Sequence, residues 1–283
     1  MKFGLMFANV GPFGQPEGLV QLAQTAESAG FDSLWTVEHV VVPKGYQSKY
    51  PYSADGRMPG ADESPIPDPL IWLAYAAAVT TKIKLATGII ILPQRHPFYI
   101  AKEVATLDVL SRGRMVLGVG IGWLEEEFAA VGVPFESRAE RTEESIEAIR
   151  QLWSPGASEH HGRHYSWSSV ESNPKPVQAR IPIVIGGHTK SAARRAARVG
   201  DGFFPARPDT LAECLVELEA ECRRVGRNPS EIEITTGSVA KLDEIKRLED
   251  MGVRRITFGP PGFTREAVTA GLEKLGNEII AKL

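Results

Sequence analysis

The chain holds only two cysteines among 283 residues, Cys214 and Cys222. They fall about two turns apart on one predicted helix, a spacing that suits neither a mutual disulfide nor a metal site. A basic excess is also missing. The net charge of −3 leaves no electrostatic footprint for nucleic acid or an anionic membrane. No apolar run reaches membrane length. The opening MKFGLMFANV reads as a first strand, without the long apolar run and small-residue cleavage site of a signal peptide. The expectation is a reduced, soluble, cytoplasmic protein.

What is present is 43% hydrophobic and 24% charged, a balance that suits one large α/β barrel or two smaller domains. Residues 83–128 set the pattern. Residues 83–92 are apolar and largely β-branched without sustained polar alternation, as a strand buried on both faces should be. Ile100, Val104, Leu107 and Leu110 then mark one helical face, which Gly113 closes. Residues 115–121 form a second apolar strand. Two buried strands joined by a helix make a right-handed parallel βαβ unit.

The unit recurs. Strands are predicted at 2–8, 33–40, 83–92, 115–121, 181–187, 202–204, 232–236 and 254–258, with helices between them. Asp68 and Pro69 open a helix, LIWLAYAAAV, that is apolar nearly all round and expected to be heavily buried. Ser137 and Thr210 each begin a capping box. Eight alternating strands without an internal linker point to a single (β/α)₈ TIM barrel over residues 1–283. It carries a long loop after strand two, residues 41–67, and a small insertion before strand five, with a hairpin near 164–167. A doubly wound sheet would need a Gly-rich turn after its first strand, and the run Gly11–Gly14 does not match that fingerprint. The glycines of G-V-G-I-G, 118–122, leave room for a flat ligand or for close packing.

In a barrel the chemistry sits where strands end. Those positions hold Asn9; Glu38 and His39; Thr87 and Gly88; Gly122 and Trp123; Gly186, Gly187 and His188; Pro205; Gly237 and Ser238; and Gly259. No lysine ends a strand, which counts against a Schiff-base aldolase. No H-x-H stands there, against metal-assisted hydrolysis, and only one carboxylate does, against a two-carboxylate glycosidase. Such a rim suits a large planar cofactor that brings its own reactivity.

The text T-G-I-I-I-L-P-Q-R-H-P, A-T-L-D-V-L-S-R-G-R and L-G-V-G-I-G-W-L-E-E-E-F, followed by F-E-S-R-A-E-R-T-E-E, H-G-R-H-Y, N-P-K-P-V-Q, I-G-G and G-D-G-F-F-P, resembles the luciferase-like monooxygenase superfamily. The likeness covers most of the chain, in family order, and is nearest to the branch dependent on the deazaflavin coenzyme F-420. It implies an oxidoreductase moving a hydride between that cofactor and a small organic substrate, and a homodimer. An FMN-dependent monooxygenase on the same barrel, or a non-catalytic flavin- or deazaflavin-binding protein, are the rival readings.

The resemblance implies that His39 faces the reactive ring as acid or base, with Glu38 orienting it or sharing its proton. Asn9, Thr87, Gly88, Ile89, Gly122, Trp123, Gly186, Gly187, His188 and Ser191 are the cofactor-binding candidates. Trp123 is either core or a flank of the ring. Gly186–Gly187, ahead of a helix, form a tight turn or a phosphate nest, and the resemblance favours the nest. Similar enzymes carry a cis peptide at the end of strand three, so Gly88–Ile89 is expected to be cis. The acidic run 125–127 reads as a helix start favoured by the dipole. His160, His161 and His164 read as solvent-exposed, His96 as structural, and Arg194, Arg195 and Arg198 as a solvated helix face. No metal site is expected.

Overall fold

The structure, a computed structural model, describes residues 1–60, 64–237 and 240–283. Its strands are β1 (Lys2–Leu5), β2 (Ser33–Thr36), β3 (Lys84–Thr87), β4 (Ile90–Ile91), β5 (Met115–Gly120), β6 (Ser158–His161), β7 (Ser166–Val170), β8 (Ile183–Gly186), β9 (Gly202–Phe204), β10 (Glu233–Gly237) and β11 (Val253–Phe258). All except β6 and β7 are parallel, and β1 pairs with both β2 and β11, which closes the ring. β3 and β4 form one stave. Both pair with β5, and the expected single strand is divided between them by a cis Gly88–Ile89 bond. The result is the eight-stave (β/α)₈ barrel that the alternation implied.

Helices α1 (Pro16–Ser28), α2 (Pro69–Val79), α3 (Pro97–Leu110), α4 (Glu125–Val131), α5 (Arg138–Trp153), α6 (Lys190–Val199), α7 (Leu211–Val225), α8 (Leu242–Asp250) and α9 (Arg265–Glu278) surround it. Strand residues alternate between two cores, as the two-residue period requires. Leu34, Leu85, Leu117 and Ile183 join the layer between sheet and helices. Trp35, Ala86, Val116, Val184 and Phe204 form a separate cluster, placed by the alternation inside the ring. Trp35 is wholly buried there and meets Phe204 edge to face at 5.3 Å. Gly4 and Gly118 make the room. A Cβ on Gly4 would stand 2.6 Å from Trp35 Nε1, and one on Gly118 would stand 1.8 Å from the Thr87 carbonyl oxygen.

Several local expectations need correction. Asp68 does cap α2, accepting from the N–H groups of Leu70 and Ile71. Ser137 and Thr210 cap nothing, because their hydroxyls donate backward to the carbonyls of Pro134 and Arg207. Helix α2 is not buried all round: Ile71 is 74% and Tyr75 48% exposed. On α6, Arg195 is buried, whereas Arg194 and Arg198 do reach solvent but as ion-paired groups, Arg194 with Glu217 and Arg198 with Glu143 and Glu221.

The insertion forms the antiparallel β6–β7 hairpin, longer than anticipated. It docks on α5 and takes its histidines with it. His160 is buried against Gln151 and Glu144, His164 lies near Glu140, and only His161 is exposed. Among the described residues, no helix is long and apolar enough to cross a membrane.

Candidate active site

The chain leaves β2 through Val37, Glu38 and His39. Successive residues of an extended chain point to opposite sides, and the two side chains take different partners. Glu38 is buried. It accepts from Ile91 N–H at 2.6 Å and from Arg95 Nε at 2.9 Å, with Arg95 Nη2 also on it. Burial pushes its pKa up, while Arg95 and the Ile91 N–H pull the other way. Arg95 is held in turn by Asp68 at 2.8 Å. Glu38 therefore anchors the β4 stave and does not orient His39, contrary to expectation.

The partner of His39 is Glu127. Nδ1 lies 2.9 Å from Glu127 Oε2, and the carboxylate is fully buried. Its other oxygen accepts from Val40 N–H at 2.6 Å and Val41 N–H at 3.3 Å. With Nδ1–H donated to this carboxylate, Nε2 is the nitrogen left to exchange protons. Glu127 belongs to the run read only as a helix start. So does Glu126, which accepts from Gln47 N–H, Ser48 N–H and the Ser48 hydroxyl. The available signal was three acids in the first turn of a short rim helix beside a strand-end imidazole.

Glu126 fastens the long loop as a strap across the rim. Trp123 is half-buried, with Tyr46 at 5.6 Å, Tyr50 at 5.2 Å and His39 at 5.7 Å, all edge to face. Tyr50 meets Tyr52, and Tyr52 meets His188 at 4.8 Å. Trp123 thus belongs to the rim and its strap.

The strand-end glycines serve packing. A Cβ on Gly120 or Gly186 would stand 2.7 or 2.6 Å from the Ile89 side chain, which wedges between them, and one on Gly122 would strike Phe128. A Cβ on Gly88 would come within 3.1 to 3.2 Å of Met6 and Trp35. Thr87 is buried and donates to the Gly118 carbonyl at 2.6 Å. Asn9 is buried too; its amide joins Val37 N–H, the Val37 carbonyl and the Pro67 carbonyl, tying β1 to β2 and to the end of the strap. Ser191 sits exposed in the first turn of α6.

The turn before α6 keeps open hydrogen-bonding capacity. Gly187 has φ +132°, a region that favours glycine, but its N–H already donates to the Phe204 carbonyl. Any anion held here would use the following residues, where the helix N-terminus leaves N–H groups without intrahelical partners. His188 Nδ1 is buried with no hydrogen-bond partner, and burial, then Arg207, pushes its pKa down. His96 is structural, accepting from Phe98 N–H at the start of α3. Ser238, expected at a strand end, lies outside the described residues.

Residues 1–246 match the model of the luciferase-like monooxygenase family, and the chain belongs to that family. It is an oxidoreductase of that class. An uncharacterized protein of Mycobacterium tuberculosis is 33% identical over 275 residues, covering 93% of this chain and 95% of that protein. The F420-dependent glucose-6-phosphate dehydrogenase of Kineococcus radiotolerans is 32% identical over 232 residues, covering 77% of this chain and 63% of that enzyme. Among solved structures, monooxygenase RslO1 from Streptomyces bottropensis superposes with TM-score 0.78 at 23% identity, covering 100% of this chain and 99% of its own. The coenzyme F420-dependent tetrahydromethanopterin reductase from Methanopyrus kandleri gives 0.77 at 19% identity, covering 99% of each. These two superpositions establish the barrel and nothing finer.

Proposed function

We propose that the chain is a deazaflavin (coenzyme F-420)-dependent oxidoreductase acting on a small organic substrate. One observation carries the reading: among the described residues the rim offers one imidazole–carboxylate pair, His39–Glu127, and a helix N-terminus preceded by His188, whose Nδ1 is buried and unpartnered. An acid–base pair with an anion-receptive turn suits a phosphate-bearing cofactor that brings its own reactivity. The likeness to an F420-dependent dehydrogenase favours a deazaflavin over FMN. When bound, that cofactor supplies a ring carbon that gives or takes a hydride. His188 and the first turn of α6 would hold its phosphate, Ile89 would form a wall beneath the mouth, and His39 Nε2 would give or take the accompanying proton. The strap would exclude water.

Binding of oxidised deazaflavin and of FMN to the purified chain, followed by oxygen uptake, tests this. Tighter FMN binding with oxygen consumption would replace it by the monooxygenase reading, and cofactor binding without any turnover by the non-catalytic one. Gly187→Val is expected to weaken deazaflavin affinity by about tenfold or more, since its Cβ would stand 2.8 Å from that of Ala192 and the backbone there resists a β-branched residue. Unchanged affinity in a folded variant removes the phosphate assignment. We also propose a homodimer whose contact uses the exposed Ile71 and Tyr75 of α2 and Tyr99 of α3. A monomeric mass for Ile71→Glu against a dimeric parent is the expected result, and a monomeric parent would end that proposal.

A further inference from the structure

We infer that the substrate taken under the strap is an uncharged, apolar molecule with a flat ring or conjugated section, and not a phosphorylated or carboxylated one. The inference rests on the oxidoreductase reading for the word substrate, and on the rim alone for its chemistry. The rim carries a continuous aromatic series. From His39 it passes to Trp123, then to Tyr50, Tyr52 and His188, with successive centroids 5.7, 5.2, 5.2 and 4.8 Å apart and Tyr46 flanking Trp123. It therefore runs from the end of β2 past β5 to β8. Rings spaced this way offer faces and edges to another flat ring.

Among the described residues, the rings from Trp123 to Tyr52 carry no formal charge. Burial pushes the Tyr50 phenol up to about 12 and raises that of Tyr52, so both stay neutral donors. The neighbouring guanidiniums are engaged. Arg57 lies over the Tyr46 ring and donates to the Tyr46 carbonyl, Arg95 is shared by Glu38 and Asp68, and Arg207 pairs with Asp209. The carboxylates of Glu126 and Glu127 are likewise taken up by the strap backbone and by His39. Beyond β1 and β2 three apolar side chains are in part exposed: Phe7 at 44%, Val40 at 48% and Val41 at 44%. A phosphate or carboxylate brought between Trp123 and Tyr52, short of the α6 turn at His188, would shed water and gain no ion partner from these groups. A neutral flat molecule would trade water for ring contacts.

The test uses a near-isosteric pair, acetophenone and benzoate, together with glucose 6-phosphate. Each is titrated into the deazaflavin-loaded chain and followed by tryptophan fluorescence and calorimetry. Acetophenone is expected to bind at least about tenfold more tightly than benzoate, and glucose 6-phosphate more weakly still. Tyr50→Ala should weaken acetophenone by about tenfold, and Tyr50→Phe should leave it nearly unchanged, because the ring and not the hydroxyl makes the contact. Both should leave cofactor affinity unaltered. Benzoate or the sugar phosphate binding as well as acetophenone, no acetophenone binding at all, or indifference to Tyr50→Ala would each overturn the inference. If deazaflavin fails to bind, the cofactor reading falls, and the same titrations on the cofactor-free chain still decide the substrate class.

Discussion

Two irregular segments leave the barrel and are fastened by the same device, with opposite consequences. The strap, described over residues 41–60 and 64–67, is held by Glu126 of α4, which accepts from Gln47 and Ser48. The insertion carrying β6 and β7 is held by Glu144 of α5, which accepts from His164 N–H at 2.9 Å and Tyr165 N–H at 2.7 Å. Both put an aromatic group beside a histidine. The strap brings Tyr50 to Trp123 and Tyr52 to His188, at the strand ends. The hairpin brings Trp167 to Phe98 and His160, on the flank of α3 and α5. One anchoring chemistry thus fastens a segment at the rim, where barrels place their chemistry, and a segment on the flank.

The sharpest way to break the comparison is to remove one histidine from each region. His39→Ala is expected to lower kcat/KM by about 10²- to 10⁴-fold, the range for a positioned acid or base, with cofactor affinity retained. His160→Ala should leave kcat/KM alone and cost about 1–3 kcal/mol of stability, because Gln151 and Glu144 lose a buried partner. Equal losses of activity in the two variants would mean that the hairpin belongs to the site after all.

Exchanging the anchors gives a smaller effect. Glu126→Ala should free the strap and reduce turnover by roughly tenfold, the scale of a lost gating contact, with the melting temperature little changed. Glu144→Ala should do the reverse: activity holds, and the melting temperature falls by a few degrees, about 2–4 °C per kcal/mol for a chain of this size. A strap variant that melts early with full activity would assign the strap to stability.

The barrel was legible because its evidence is local. Apolar runs, glycine stops and the cap at Asp68 repeat along the chain, and each needs only its neighbours. The partners at the rim were not legible, because they are choices between distant residues. His39 and Glu127 are 88 positions apart, and nothing in E-H-V said which of Glu38 and Glu127 would face the imidazole. Glu38 was the nearer carboxylate, and Arg95, 57 positions on, took it. The glycines left two readings open for the same reason. Their openness was visible, but not that Ile89 would fill it between Gly120 and Gly186. His160 and His164 looked free because the acids that receive them lie on a helix read separately.

The smallest expected effect separates the two anchors by pH. In the folded chain Glu126 is held down to about 2, chiefly by the Ser48 hydroxyl and the Gln47 N–H. Glu144 is also lowered; burial opposes this, and the Tyr165 and His164 N–H groups outweigh it. Each carboxyl is depressed from an ordinary value of 4.5. The contribution of each is therefore complete above that value and disappears as pH falls through the folded one. For the strap the window runs from 4.5 down to about 2. Amide exchange at Gln47 and Ser48, corrected for intrinsic rates, should show full protection at about pH 6 and progressive loss below about 4.5. Protection already lost above pH 5, on the order of half a unit beyond the free carboxyl, would contradict the anchoring. Ser48→Ala sharpens the test. Removing the hydroxyl raises the folded value, so the contribution shrinks and strap release moves to higher pH, while exchange at His164 and Tyr165 stays where it was. A parallel shift in both segments would show that the whole barrel, and not the strap, is responding.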